Sequence, residues 1–279
     1  MGRIKYSAII VVYNKTIQGS ITCESLRNIP NLDVEIVIVD NSEIDKKNDE
    51  ICKELGYTYI SMNGNKGLSK AYNTAIDYID TDVIVLLDDD TKISKDYFEA
   101  LNIAVKEHLE VDIFAPIVYG QDGVIYSPNE FNFLRNHFIE APNQVVSQKR
   151  FNAIASCLAI RSRVFENYRF NEVLFVDQVD QYFFWEQRKL GRKFLKLDVE
   201  IHQNFYQRGD TLDADSAWKR VRLRLIDIMR QAQLMGGVKY RYLGFIKCCG
   251  LSVQIAKKSK SAGVLLNCIF LSCRLLWKK

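Results

Sequence analysis

The sequence predicts an α/β protein with a mainly parallel central sheet flanked by helices, followed by a basic, helical C-terminal segment. Three observations carry this. Short apolar runs alternate with helical patterns through the first half of the chain, the order that strand–helix–strand units produce. Two of those runs, Ile36-Val37-Ile38-Val39 and Val83-Ile84-Val85-Leu86-Leu87, are apolar without interruption, as strands covered on both faces are. Charge is also divided. The 279 residues hold 38 Lys+Arg and 34 Asp+Glu, but residues 201–279 carry 15 basic and 4 acidic side chains (net +11) and residues 1–200 carry 23 and 30 (net −7).

In order, Ala8 to Val12 reads as a first strand, its apolar run too short for the core of a signal peptide. A helix follows over Ser20 to Asn28, a strand over Glu35 to Val39, a helix over Leu68 to Ile79, a strand over Val83 to Leu87 and a helix over Asp96 to Leu109. Residues from Gly120 to Arg150 are polar, aromatic and weakly periodic, with Pro128 and Pro142, and read as loops and short strands lining a site. Ala155 to Ile160 reads as a strand. A helix from about Gln178 to Leu190 is closed by Gly191, and the apolar pattern Phe194, Leu195, Leu197, Val199, Ile201 reads as a strand ending at His202. Ser216 to Lys279 is mostly helical in pattern. A boundary near residue 210 divides a catalytic-size domain, 1–210, from a basic segment, 211–279.

With 48% apolar residues, 14 Gly and 4 Pro, the chain is not disordered, collagenous or low-complexity. Its seven cysteines show no regular pairing spacing, which fits a reducing compartment. No stretch reaches the ~20 apolar residues of a membrane span; Ala262 to Leu276 is interrupted by Asn267 and Arg274.

Ligands of open parallel sheets sit beyond the carboxyl ends of the strands. Three carboxylates, Asp88, Asp89 and Asp90, follow one such strand, and their repulsion is most simply relieved by a hard divalent ion held by the first and third. A solvated turn with Asp90 capping the next helix is the structural alternative. Asp40, after another strand, could accept the imide N–H of a uracil or thymine, or serve as a turn former. The segment from Asn63 to Asn73 opens a helix with small residues, amides and lysines, a setting that favours phosphate without matching a dinucleotide fingerprint or P-loop. Asp177 and Asp180 start a later helix, either as N-cap and N3 of a capping box or with one of them as general base. His202 is a lone histidine, packed or completing an Asp-Asp-His set for Mn²⁺ or Mg²⁺.

As an ordered set, AIIVVYN (Ala8 to Asn14), IVIVDNS (Ile36 to Ser42), NKGLSKAYN (Asn65 to Asn73), VLLDDDT (Val85 to Thr91) and FVDQVDQ (Phe175 to Gln181), with His202 beyond, resemble family 2 glycosyltransferases of the Rossmann-like GT-A fold, especially the rhamnosyltransferase and galactofuranosyltransferase-like branch. The resemblance covers roughly residues 6–205. It implies that Val12, Tyr13, Asn14 and Asp40 hold a pyrimidine base, that Asn65 and Gly67 lie along ribose and diphosphate, and that Asp88 and Asp89 contact the nucleotide sugar. It implies a metal site of Asp88, Asp90 and His202 for Mn²⁺ or Mg²⁺, with Asp180 as catalytic base. The implied reaction is an inverting transfer from a nucleotide-diphosphate sugar, dTDP-rhamnose or a UDP-sugar, to a lipid-linked saccharide in bacterial surface polysaccharide synthesis. The chain departs from the family pattern at Tyr182, where an acidic residue usually stands.

From Ser216 onward, 14 Lys/Arg against the single acid Asp227 are interleaved with aromatic and aliphatic residues, which reads as a surface for an anionic membrane. That places the protein in the cytoplasm, peripheral on the inner face of the cell membrane. The charge carries no nucleic-acid recognition motif, and a helical face packed on the catalytic domain is the structural alternative. Two other functions compete. A phosphohydrolase with an Asp nucleophile conflicts with Lys92, where such motifs need Thr or Val. A non-catalytic nucleotide-sugar-binding module would bind without turnover.

Overall fold

The computed structural model describes residues 3–204 and 213–277, so the expected boundary near residue 210 lies outside the described residues. The chain runs β1 (Tyr6–Val12), α1 (Ile21–Arg27), β2 (Glu35–Asp40), α2 (Asn48–Leu55), β3 (Thr58–Ser61), α3 (Leu68–Tyr78), β4 (Val83–Leu87) and α4 (Lys95–Glu107). It continues with β5 (Ile113–Gly120), the short strands β6 (Ile125–Ser127), β7 (Asn129–Glu130), β8 (His137–Phe138) and β9 (Phe151–Asn152), then β10 (Leu158–Arg161), α5 (Val179–Lys189) and β11 (Phe194–Gln203). Three helices close it: α6 (Ala214–Met235), α7 (Gly237–Ser259) and α8 (Ala262–Trp277).

Among the described residues the main sheet has the order β11-β5-β10-β4-β1-β2-β3, with β6 added to β5. Its β1, β2, β3 and β4 are mutually parallel, β11 is parallel to β5, and β10 runs antiparallel between β4 and β5. The expected α/β architecture is thus present. Period-two alternation sorts the strand side chains. Ala8, Ile10, Val12, Val85 and Leu87 pack with α1, α2 and α4 on one face, and Ile9, Val37, Val39, Ile84 and Leu86 pack with α3 and α5 on the other.

Helix starts follow from local chemistry. Ser20 caps α1 by accepting from the Cys23 N–H. Gly67, at φ +89°, turns the chain into α3; a Cβ there would lie 2.7 Å from Phe175 Cδ2 and 2.8 Å from Phe175 O. Two capping expectations are corrected. Ser94, not Asp90, stands at the N-cap of α4. Gln178, in the left-handed region at φ +63°, stands at the N-cap of α5, because Asp177 turns instead to Arg220 and Arg224 of α6. The Arg220 guanidinium engages both oxygens of Asp177, a fork that a single backbone N–H cannot supply.

The basic segment is helical as expected, and it is also built into the body of the molecule. Ala232 and Met235 of α6 belong to the same core as α3 and α5. A second face of α6 (Val221, Leu225, Ile228, Met229) packs with Cys248 of α7 and with Val264 and Cys268 of α8. Gly244 lets α7 approach closely: a Cβ there would lie 2.9 Å from that of Ala232. Among the described residues no helix is long and apolar enough to cross a membrane.

Candidate active site

Three strands end on one rim of the sheet. After β4, Asp88, Asp89 and Asp90 form a half-buried turn. The start of α1 fixes its backbone: Ser20 Oγ donates to Asp89 O at 2.7 Å, and Thr22 Oγ1, which lies 2.5 Å from Asp88 O, accepts from the Thr91 N–H at 2.9 Å. Asp89 points away to Lys15, with Nζ 2.9 Å from its Oδ2. Asp88 and Asp90 share one partner: Gln203 Nε2, at the end of β11, lies 3.2 Å from Asp88 Oδ2 and 3.3 Å from Asp90 Oδ1.

Burial, reinforced by the charge of Asp90, pushes the Asp88 carboxyl up to about 6, with the Gln203 hydrogen bond acting in the opposite sense. Burial and then Asp89 raise Asp90 as well. Both shifts mark carboxylates short of positive charge.

The structure does not bring His202 to this pair. It is exposed on the opposite side of β11, its ring stacked on Tyr119 at 5.3 Å and 16°. Strand alternation places Ile201 and Gln203 inward and His202 outward. Among the described residues no group of three or more His, Cys, Asp or Glu side chains is arranged to hold a metal. What converges is two carboxylates and an amide whose Oε1 is buried without a partner. The carboxylates are hard oxygen donors, and a half-turn of the amide would add a third, so the residues present fit Mn²⁺ or Mg²⁺.

Along the same rim, an open cleft of about 420 Å³ is lined by Asp40, Ser42, Glu43, Tyr59, Ser61 and Asn63. Asp40 is buried and already bonded: Oδ1 accepts from the Ser42 N–H at 3.0 Å, and Oδ2 accepts from Asn48 Nδ2 at 2.8 Å and Tyr59 OH at 3.3 Å. The Asn14 N–H donates to Ser42 Oγ, and Asn14 Oδ1 accepts from the N–H groups of Glu43 and Ile44, which ties the end of β1 to the loop after β2. Val12 is buried in the core while the neighbouring Tyr13 is about half exposed. Asn65 Oδ1 accepts from Asn41 Nδ2 at 3.0 Å and from the Gly67 N–H at 3.2 Å, shaping the approach to α3.

The segment before α5 is gripped from two sides. From α3, Ser69 Oγ donates to Leu174 O at 2.7 Å, and Asn73 exchanges bonds with the Phe170 backbone at 2.8 and 2.9 Å. The Leu68 N–H donates to Phe175 O at 2.5 Å. From α6, fully buried Asp227 accepts from the N–H groups of Phe175 (3.1 Å), Val176 (2.9 Å) and Asp177 (2.9 Å). Asp180, in the first turn of α5, is held in place by this frame. Its carboxyl is raised to about 6 by burial, with Asp177 adding to the rise and the Gln181 N–H opposing it. Asp180 lies within electrostatic reach of Asp88. Lys247 of α7 donates to Gln178 Oε1 at 3.1 Å, and burial lowers its ammonium to about 8.

The sequence pattern named Asp88, Asp90, Asp180 and Asp40, of which the structure brings Asp88 and Asp90 together, sets Asp180 within electrostatic reach of Asp88 and puts Asp40 in the wall of the cleft. It missed Gln203, although the inward positions Leu197 and Ile201 were a signal for it. It also missed Asp227, Arg220 and Lys247 as parts of the site, since their partners lie 43 to 69 residues away. Tyr182 is buried against Trp185, ring centroids 5.4 Å apart, and contributes packing where an acid was usual.

The family described as glycosyl transferase family 2 matches residues 7–169. Among solved structures, residues 1–349 of S. aureus TarS align with a TM-score of 0.55 at 15% identity, over 98% of this chain and 81% of that one. The same protein in complex with UDP aligns with a TM-score of 0.54 at 15% identity, covering 98% and 89%. In complex with UDP-GlcNAc it aligns with a TM-score of 0.54 at 15% identity, covering 98% and 82%. At that identity the likeness is one of fold, and the fold is GT-A. No curated protein sequence matches the chain.

Proposed function

This chain belongs to glycosyltransferase family 2, and from that membership we propose a metal-dependent inverting hexosyltransferase. It moves a sugar from a nucleotide-diphosphate donor, a UDP-sugar or dTDP-rhamnose, to a lipid-linked saccharide at the inner membrane face during bacterial surface polysaccharide assembly. The observation that carries the reading is the convergence of Asp88 and Asp90 at the end of β4, on the rim that carries the Asp40 cleft and with Asp180 within electrostatic reach of Asp88. The structurally similar TarS is known in complex with UDP and UDP-GlcNAc, which supports a nucleotide-sugar donor here.

In this reading Tyr13 and Asn14 flank the base and Asp40 meets its imide edge, while Val12, packed in the core, only anchors the strand end that carries them. Asn65 and Gly67 follow ribose and diphosphate, and Asp89 orders the turn through Lys15. Asp88 and Asp90 hold Mn²⁺ or Mg²⁺, which when bound offsets the charge developing on the departing diphosphate, a contribution of several kcal/mol. Asp180 takes the proton of the acceptor hydroxyl as its oxygen attacks the anomeric carbon. The bond from that carbon to the diphosphate oxygen breaks on the opposite face, and the configuration inverts. A positioned base of this kind contributes about 10²–10⁴ in rate.

Membrane association has its own support. Val238, Tyr242, Ile246 and Val253 are exposed along α7 at near-helical spacing, and Leu266, Ile269, Phe270 and Trp277 along α8. Lys257, Lys258 and Lys260 lie between the two stripes in sequence. An apolar stripe beside cations suits an anionic bilayer surface.

A thermal-shift screen of UDP- and dTDP-sugars, with Mn²⁺ and with chelator, tests the function. The proposal expects one donor class to raise the melting temperature only with the metal. Stabilisation by none, or equally with chelator, counts against it.

A further inference from the structure

We propose that Gln203 is the third protein ligand of the divalent ion, donating its carboxamide oxygen where an imidazole was expected; this rests on the metal site of Asp88 and Asp90 proposed above. Gln203 is 5% exposed, and its side chain enters the cleft between the two carboxylates. Its Nε2 lies 3.2 and 3.3 Å from one oxygen of each, while Oε1 is buried with no hydrogen-bond partner.

The two amide ends are related by a half-turn about the last side-chain bond, a torsion with a broad, roughly two-fold preference. The N–H end faces the carboxylates, which need donors. After the half-turn Oε1 occupies the place of Nε2 and stands about 3.2 to 3.3 Å from Asp88 Oδ2 and Asp90 Oδ1. Ligand oxygens around an octahedral ion at metal–oxygen distances of about 2.1 Å are separated by roughly 3 Å along each edge. At such a spacing from each carboxylate, Oε1 would be placed to share one ion with both.

His202 cannot substitute without a change of strand register. It pairs in β11 opposite Tyr119, stacks on that ring and faces away from the carboxylates, whereas Gln203 pairs opposite Gly120 and faces them. Amide oxygens are hard ligands suited to Mg²⁺ and Mn²⁺, while imidazole also accepts softer ions. A site of two carboxylates and an amide therefore discriminates against Zn²⁺ more than one containing histidine would.

The test is Mn²⁺ titration of the full-length protein, read by the electron paramagnetic resonance signal of free Mn²⁺, with melting temperature in chelator as the check on folding. Gln203→Ala should weaken Mn²⁺ binding about tenfold or more, the loss typical when a group orienting or ligating a metal is removed. Gln203→Glu should bind Mn²⁺ at least as tightly as the wild type while melting lower in chelator, where a third carboxylate is repelled. His202→Ala should leave Mn²⁺ binding unchanged. Wild-type affinity in Gln203→Ala, or a loss in His202→Ala with none in Gln203→Ala, overturns the assignment of Gln203 and leaves the metal site standing. Wild-type affinity in Asp88→Asn overturns both.

Discussion

Asp227→Asn is the most informative perturbation of the frame around Asp180. The carboxylate accepts three consecutive backbone N–H groups, from Phe175, Val176 and Asp177, at 2.9 to 3.1 Å. Oδ2 accepts from all three and Oδ1 also faces the Phe175 N–H and the Arg230 guanidinium, so asparagine with its oxygen in the Oδ2 place turns its NH₂ against those two donors, at about 1–3 kcal/mol each. Burial already raises the pKa of Asp227, so relief of a costly buried charge offsets part of that loss. A net destabilisation of about 2–3 kcal/mol remains, and at about 2–4 °C per kcal/mol the melting temperature should fall by roughly 4–12 °C. Asp180 follows Asp177 by one turn, and a shift of about 1 Å in a reacting group can cost on the order of 10²-fold in rate. Differential scanning fluorimetry and sugar-transfer kinetics check both effects, with Mn²⁺ binding expected to be unchanged. A variant that melts with the wild-type protein and turns over at its rate would refute the claim that α6 holds the catalytic segment.

Asp180 is the base only when deprotonated. With its carboxyl raised to about 6, kcat/KM should climb about tenfold per pH unit below pH 6 and level off above it, a limb that Asp180→Asn removes with the activity. The linked stability has the opposite sign: the fold favours the protonated form, and that contribution fades as pH rises through about 6. Gly67→Ala sets a methyl against Phe175 at a positive φ and should cost about 1–3 kcal/mol, read as a lower melting temperature with transfer impaired. Phe270→Ala with Trp277→Ala, at side chains 73% and 77% exposed, should leave the melting temperature intact and reduce partitioning onto anionic liposomes roughly a hundredfold, at about 1.5 kcal/mol for each aromatic group. Unchanged partitioning in a sedimentation assay would detach the membrane reading from α8. Deleting residues 216–279 is a poorer test, because it also removes Asp227, Ala232 and Met235 from the catalytic body.

The strands that carry the site were legible because burial on both faces demands uninterrupted apolar runs; Val83–Leu87 was bounded correctly from the sequence. α2, β3 and β5 were not anticipated. Asn48–Leu55 is dominated by charge, Thr58–Ser61 spans only four residues, and Pro116 interrupts the pattern of β5. In the site, carboxylates at strand ends announce themselves, whereas the choice between His202 and Gln203 turns on a one-residue alternation that chemistry alone misjudges. Asp227 stood out as the lone acid of a basic segment, yet its partners lie 50 to 52 residues earlier. Local patterning carries no information about which distant backbone a buried carboxylate will cap. The same holds for Ser69 and Asn73: both read as part of a ligand-binding motif, and both also clamp residues 170–174.

A divalent ion gripped by the carboxylate pair at the end of β4 and carrying a nucleotide diphosphate is the premise of the proposed transfer. Isothermal calorimetry of UDP and dTDP with the full-length protein, with Mn²⁺ and with chelator, measures this directly. One of the two nucleotides should bind with Mn²⁺ and lose measurable binding in chelator and in Asp88→Asn. Nucleotide affinity that is indifferent to both the metal and Asp88 would contradict the account.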